Sequence, residues 1–266
     1  MVGVDLPGMR LAVPIRHLVV EHLMGTVVSL DVRGARAGTD VVAAGRAALA
    51  WLRDVDARFS TYRPDSEISR IARGALDVLD ASPDVREVLD RCAGLRAATG
   101  GWFDHGAGAA LDPSALVKGW AVQRAADGLR AAGVTDFCLS AGGDLVVRGG
   151  ARPATCWRVG IQHPEDRGAV AATLAVTDLA VATSGAYERG AHVRDPHAGG
   201  PPGGVLSVTV AGPDLGTADA FSTAAFAMGV DGPAWTLRLA GYEAMTILAG
   251  GTVLATPGFP ELEAAA

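Results

Sequence analysis

The 266-residue sequence predicts an α+β fold of mostly antiparallel sheets with packed helices, on three observations. Its first half carries apolar residues at helical spacing. From Phe137 onward the period changes to two. The strand-like runs there are parted by short Gly- and Pro-rich turns such as AGGD, RGGARP and HPEDRG, which suit consecutive hairpins better than a doubly wound sheet.

Residues 1–16 have no period and read as a tail. From His17 to Val32, β-branched residues flank Met24-Gly25-Thr26, predicting one bulged strand or two strands meeting at the glycine. Thr39 to Arg58 is a helix with Val41, Val42, Ala48, Leu49, Leu52 and Val55 on one face and Asp40 in its first turn. Phe59 to Pro64 is a turn, and Asp65-Ser66-Glu67 starts a short helix through Ile71. Ser82-Pro83 opens a helix to Thr99. Asp112-Pro113 signals another start, since Asp accepts from free amides and Pro at the first helical position loses no needed N–H. Leu116, Trp120, Ala125 and Leu129 then recur at helical spacing until Gly133. Strands follow at 137–140, 145–148, 157–161, 171–176, 180–183 and 206–211. Thr217 to Gly229 and Pro233 to Ala240 are helical. Met245–Leu248 and Val253-Leu254 make a hairpin around Gly250-Gly251, and residues 256–266 read as a second tail. No internal repeat or long linker divides the chain, so one domain is expected.

Hydrophobic residues at 49% and charged residues at 20% describe a globular chain. A net charge of −6 argues against a nucleic-acid surface. An anionic ligand then needs local amides, a lysine or a metal to offset the field. Cys92, Cys138 and Cys156 are widely spaced, which fits reduced thiols rather than a disulfide framework or thiolate metal site. Arg10, Arg16, His17, Glu21 and His22 interrupt the early apolar runs. No signal-peptide core, lipoprotein cysteine or membrane span is read, and a cytoplasmic location is expected.

Several stretches offer chemistry. The helix start after Asp112 has free N–H groups, a Gly/Ala-rich loop before it and Lys118 one turn in, an arrangement able to hold a phosphate. An ordinary capped helix with a solvated lysine is the plainer alternative. Asp219 and Thr223, four apart, place a carboxylate and a hydroxyl on one helix face, both hard donors suited to Mg²⁺; dipole and back-bonding preferences alone also explain them. His192-Val193-Arg194-Asp195-Pro196-His197 is either a proton-transfer cluster or a polar turn. Thr183-Ser184-Gly185 has the look of an exposed hydroxyl at a strand end, without the G-x-S-x-G frame of a hydrolase. Tyr62 at a turn apex can stack on a planar ring or pack over the next helix. Ala141-Gly142-Gly143-Asp144 is first a tight turn.

Taken in order, Met24-Gly25-Thr26, STYRPDSEIS (60–69), TGGWFD (99–104), DPSALVKGWAV (112–122), AGGD (141–144), ATSGAYER (182–189), HVRDPHAG (192–199) and ADAFSTAAFAMG (218–229) resemble the flavin transferases of the ApbE family. The resemblance runs from about residue 22 to about residue 250. It implies the family's T-fold-like architecture and Mg²⁺-dependent transfer of FMN from FAD to a threonine of an acceptor flavoprotein, releasing AMP. It further implies that Met24, Tyr62, Trp102, Phe103, Asp104, Asp112 and Lys118 touch FAD, with Tyr62 beside the isoalloxazine and Val193 against the flavin. Ala115 through its carbonyl, Asp219, Thr223 and Ser222 would form the magnesium site, and His192 would be the general base. With water as acceptor the same site is an FAD pyrophosphatase giving FMN and AMP. Outside enzymes, the alternative is an FAD-holding protein without turnover.

Overall fold

The computed structural model describes residues 16–106, 111–151, 153–185, 193–260 and 262–263. Among the described residues eleven strands form two sheets, one of eight strands in the order β1-β2-β3-β4-β7-β8-β9-β10 and one of three in the order β11-β6-β5. The strands are β1 (His17–Leu23), β2 (Thr26–Ala35), β3 (Val134–Ala141), β4 (Asp144–Arg148), β5 (Trp157–Gln162), β6 (Val170–Val176), β7 (Leu179–Gly185), β8 (Val205–Gly212), β9 (Glu243–Leu248), β10 (Val253–Ala255) and β11 (Leu262–Glu263). Every pairing is antiparallel. The fold is thus α+β. The His17–Val32 region resolves into two strands, because Met24 and Gly25 both take positive φ (54° and 69°) and close a tight hairpin. Within the stretch read as a C-terminal tail, Leu262 and Glu263 pair with Leu174 and Thr173.

The helices are α1 (Val41–Phe59), α2 (Glu67–Ala72), α3 (Pro83–Ala98), α4 (Ser114–Ala131), α5 (Leu215–Ala227) and α6 (Gly232–Thr236). Capping chemistry sets their starts. Asp40 lies outside α1 rather than in its first turn and accepts from the Ala43 amide at 2.9 Å. Helix α5 begins two residues before the expected Thr217, because Asp214 is the cap and accepts from the Thr217 amide at 2.8 Å. Helix α4 begins one residue later than expected. Pro113 is its cap position, and Asp112 still receives the Ser114 amide at 3.0 Å.

Strand alternation makes three layers. Val146, Ala180, Ala182, Val208 and Val210 face the helices and belong to the main core. Their neighbours Val147, Val181 and Ala211, with Met245 and Ile247, face Trp157, Val159, Ile161, Ala172 and Leu174 of the small sheet.

Helix α4 is buried on more of its girth than one stripe, because α1, α3, α5 and the large sheet surround it. Trp120 packs between the rings of Trp51 (5.5 Å) and Phe59 (5.6 Å). The Trp120 indole donates to Glu87 at 2.9 Å, and the Trp51 indole to the Ala121 carbonyl at 3.0 Å. Against α5 the approach is closest. A Cβ on Gly119 would lie 2.7 Å from the Leu215 carbonyl oxygen and 2.9 Å from the Gly216 Cα. Just beyond, the Gln123 side chain accepts from the Leu215 amide at 3.0 Å.

The two glycines of α4 should therefore respond oppositely to alanine. A methyl added at Gly128 would meet nothing within 4 Å, so Gly128→Ala should stabilise the protein by about 0.5–1 kcal/mol through helix propensity. Gly119→Ala should instead destabilise it by about 1–3 kcal/mol through overpacking. Urea unfolding of both variants checks this, and stabilisation by Gly119→Ala would contradict the close crossing.

Candidate active site

The α4–α5 crossing sets the N-terminal turns of both helices beside the ends of β3, β4 and β7. There they enclose a cleft of about 530 Å³. From α4 it is lined by Ser114, Ala115 and Lys118, and from α5 by Asp219 and Thr223. Gly142 of the β3–β4 turn and Thr183, Ser184 and Gly185 at the end of β7 continue the wall. Tyr62, Trp102, Asp104, His105, Asp112, Val193, Arg194 and Pro196 come from loops.

The floor carries the charge. Lys118 Nζ forms an ion pair with Asp144 Oδ2 and lies 3.3 Å from Asp219 Oδ2. The Asp144 side chain is 1% exposed and that of Asp219 7%, so neither carboxylate is shielded by water. The Thr183 amide donates to the other Asp144 oxygen at 3.0 Å. Ser222 is fully buried, with its hydroxyl 2.9 Å from the Ser184 hydroxyl and donating to the Asp219 carbonyl at 2.9 Å. The Ser184 hydroxyl also lies 3.3 Å from that of Thr223. Ser184 is therefore not the exposed hydroxyl expected from its strand-end position.

The loop residues are held by short-range bonds. Asp104 accepts from the Gly106 amide at 3.0 Å and faces Arg96 at 3.6 Å. Asp112 donates its amide to the His105 carbonyl at 2.8 Å, closing that loop. His105 lines the cleft with its Nδ1 buried, and burial pushes its imidazole below the ordinary value against the opposing pull of Asp104. Asp195 accepts from the Ala198 amide at 2.9 Å and the His197 amide at 2.8 Å, and these bonds hold its carboxyl below the usual range. Through these bonds it organises the turn at 195–198. His197 packs edge-on against Trp102 at 4.5 Å, joining that turn to the TGGWFD segment.

Nine of the residues expected at a site thus line one cleft: Tyr62, Trp102, Asp104, Asp112, Ala115, Lys118, Val193, Asp219 and Thr223. Ser222 sits behind the wall. Phe103 is not on the wall either. It is fully buried in the main core, since its neighbours Trp102 and Asp104 face the cleft and the chain turns its ring the other way. Met24 packs against the core, and its turn abuts the cleft indirectly, through the Gly142 amide donating to the Val27 carbonyl at 3.0 Å. His192 lies outside the described residues. The sequence names Asp144 and Arg194 only as members of AGGD and HVRDPHAG, without a role of their own, and does not name His105. An acid opening the apolar strand DLVVR is the available signal for Asp144.

The donor set fits a hard divalent cation. Asp219 and Thr223 supply carboxylate and hydroxyl oxygens on one face of α5, with Ala115 on the same cleft. An ammonium already rests against Asp219, so the place favours positive charge. Among the described residues no three His, Cys, Asp or Glu side chains gather as a metal group. Among the same residues, no helix is long and apolar enough to cross a membrane.

Because Phe103 is core and Tyr62 is 96% exposed, Phe103→Ala should cost about 3–5 kcal/mol. Tyr62→Ala should change stability by less than about 0.5 kcal/mol. Denaturant unfolding of both separates a packing ring from a free one.

The model of the ApbE family matches residues 24–110 and 104–246. The FAD:protein FMN transferase of Vibrio cholerae serotype O1 is 30% identical over 239 residues, spanning 67% of this chain and 71% of that protein. The enzyme of the same name from Rhodobacter capsulatus is 36% identical over 158 residues, 55% of this chain and 30% of that one. Among solved structures, the flavin transferase ApbE from Vibrio cholerae superposes with a TM-score of 0.83 at 23% identity, over 92% of this chain and 98% of that one. The apo Pseudomonas stutzeri flavinyl transferase ApbE gives 0.80 at 24% identity, over 94% and 97%.

Proposed function

This chain belongs to the ApbE family, and from that premise we propose that it transfers FMN from FAD to a threonine hydroxyl of an acceptor flavoprotein, with Mg²⁺ as the cation and AMP as the second product. The observation that carries this is the joint lining of one cleft by two aromatic rings, the exposed Tyr62 and the half-buried Trp102, and a carboxylate–lysine–hydroxyl floor at a helix N-terminus. A dinucleotide with a planar ring and a pyrophosphate needs both.

Tyr62 offers an open ring face for the isoalloxazine, and Trp102, braced by His197, a second apolar wall. The amide end of α4 at Ser114 and Ala115 directs positive potential at the pyrophosphate. Lys118, one turn further along α4, lines the same cleft. Asp219 and Thr223, with Ala115, would hold the cation, and Ser222 buttresses them by its bond to the Asp219 carbonyl. When bound, the cation neutralises pyrophosphate charge as it moves to the leaving group. The acceptor oxygen forms a bond to the phosphorus of the FMN half while the bond from that phosphorus to the AMP oxygen breaks. AMP leaves with the bonding pair, and His192 takes the hydroxyl proton. Excluding water from the cleft separates this outcome from hydrolysis of FAD.

Mass spectrometry of an acceptor peptide incubated with the protein, FAD and Mg²⁺ tests the proposal. An acceptor heavier by one FMN, with AMP in solution, is expected. Free FMN with an unmodified acceptor would replace transfer by pyrophosphate hydrolysis, and intact FAD would remove catalysis altogether. Asp219→Ala should abolish cation-dependent turnover. His192→Ala should stop transfer while FAD still binds, and transfer at the native rate would overturn the base assignment.

A further inference from the structure

The floor of the cleft holds one ammonium between two carboxylates, each on a different element: Lys118 on α4, Asp144 at the start of β4 and Asp219 on α5. The two acids are not equivalent. Asp219 lines the cleft; Asp144 does not, and it is the more deeply buried. Asp144 is also fixed on its far side, where its second oxygen takes the Thr183 amide at 3.0 Å. Lys118 itself lines the cleft and is 19% exposed, so it sits between an inner and an outer acid.

An ammonium has three donors and can serve both carboxylates at once. A cation at Asp219 changes the balance. It competes with Lys118 for the same oxygen, and two positive charges within a few ångströms repel strongly in a poorly solvated floor. Lys118 can yield Asp219 without losing its counter-charge only because Asp144 lies behind it.

Resting on the cation reading given above, we propose that Asp144 is a positioning residue that retains Lys118 at the back of the cleft and so frees Asp219 for the divalent cation. Lys118 is then a resident counter-ion of the cation seat, kept on Asp144 when it gives up Asp219 on loading. Asp144 sets how readily the seat fills.

Isothermal titration of Mg²⁺ or Mn²⁺ into the full chain without FAD tests this, with each variant first shown folded by its thermal transition in EDTA. Lys118→Met removes the competing charge and should tighten cation binding about tenfold, a mid-range coupling for contacting charges. Asp144→Asn leaves Lys118 with only Asp219 and should weaken binding about tenfold. The double variant should bind like Lys118→Met, because Asp144 acts through the lysine. A merely structural role would move both single variants toward weaker binding, and that result, or no change in either, would overturn the proposal. Should Asp144→Asn fail to fold, the sign for Lys118→Met alone decides. Asp219→Ala separates the two levels. If it binds cation as well as the parent chain does, or if the parent chain binds none, the cation reading falls and this proposal with it. If it loses binding while Lys118→Met and Asp144→Asn stay flat, only the positioning role falls.

Discussion

Everything at the candidate site depends on how closely α4 and α5 cross. Gly119 lets the backbone of α4 approach the Leu215 carbonyl at a distance no side chain allows, and Gly216 answers it from α5. Lys118 is the residue next to that contact, and Asp219 lies one turn beyond Gly216. A wider crossing would carry the ammonium away from the carboxylate. The remaining contacts of α4 protect this geometry, with Trp120 wedged between Trp51 and Phe59 and Gln123 binding the first amide of α5.

The crossing also explains how a chain of net charge −6 offers a place for an anionic dinucleotide. Its overall field opposes such a ligand, so attraction must be local. The amide end of α4, Lys118 and a cation on Asp219 are all confined to one end of two helices, where little water screens them. Acids elsewhere on the surface do not compete at that range. The large sheet supplies the platform: its helix-facing side chains pack beneath α4 and α5, and the β3–β4 turn brings Gly142 to the cleft and Asp144 behind it, against Lys118.

Much of this is legible in the sequence because it is local. Period-two runs and their turns mark the strands of the second half to within a few residues, and Asp112-Pro113 marks the start of α4 to within one. Asp219 and Thr223 share a face by helical spacing alone. What stays hidden depends on packing between distant segments. Asp144 completes a tight turn that accounts for it locally; only the placement of α4 over β4 gives it Lys118 as a partner. Phe103 stands within a motif whose flanking residues face the cleft, and a motif does not say which side its middle residue turns to. Leu262 and Glu263 have too short a pattern to announce a strand, and the exposed edge of β6 defines them.

Anomalous diffraction from crystals grown with Mn²⁺ and FAD would locate the cation relative to the two helices. A peak bound by the Asp219 carboxylate and the Thr223 hydroxyl is expected, with the FAD pyrophosphate between it and the N-terminus of α4. A peak elsewhere, or FAD phosphates lying away from the α4–α5 crossing, would contradict this placement.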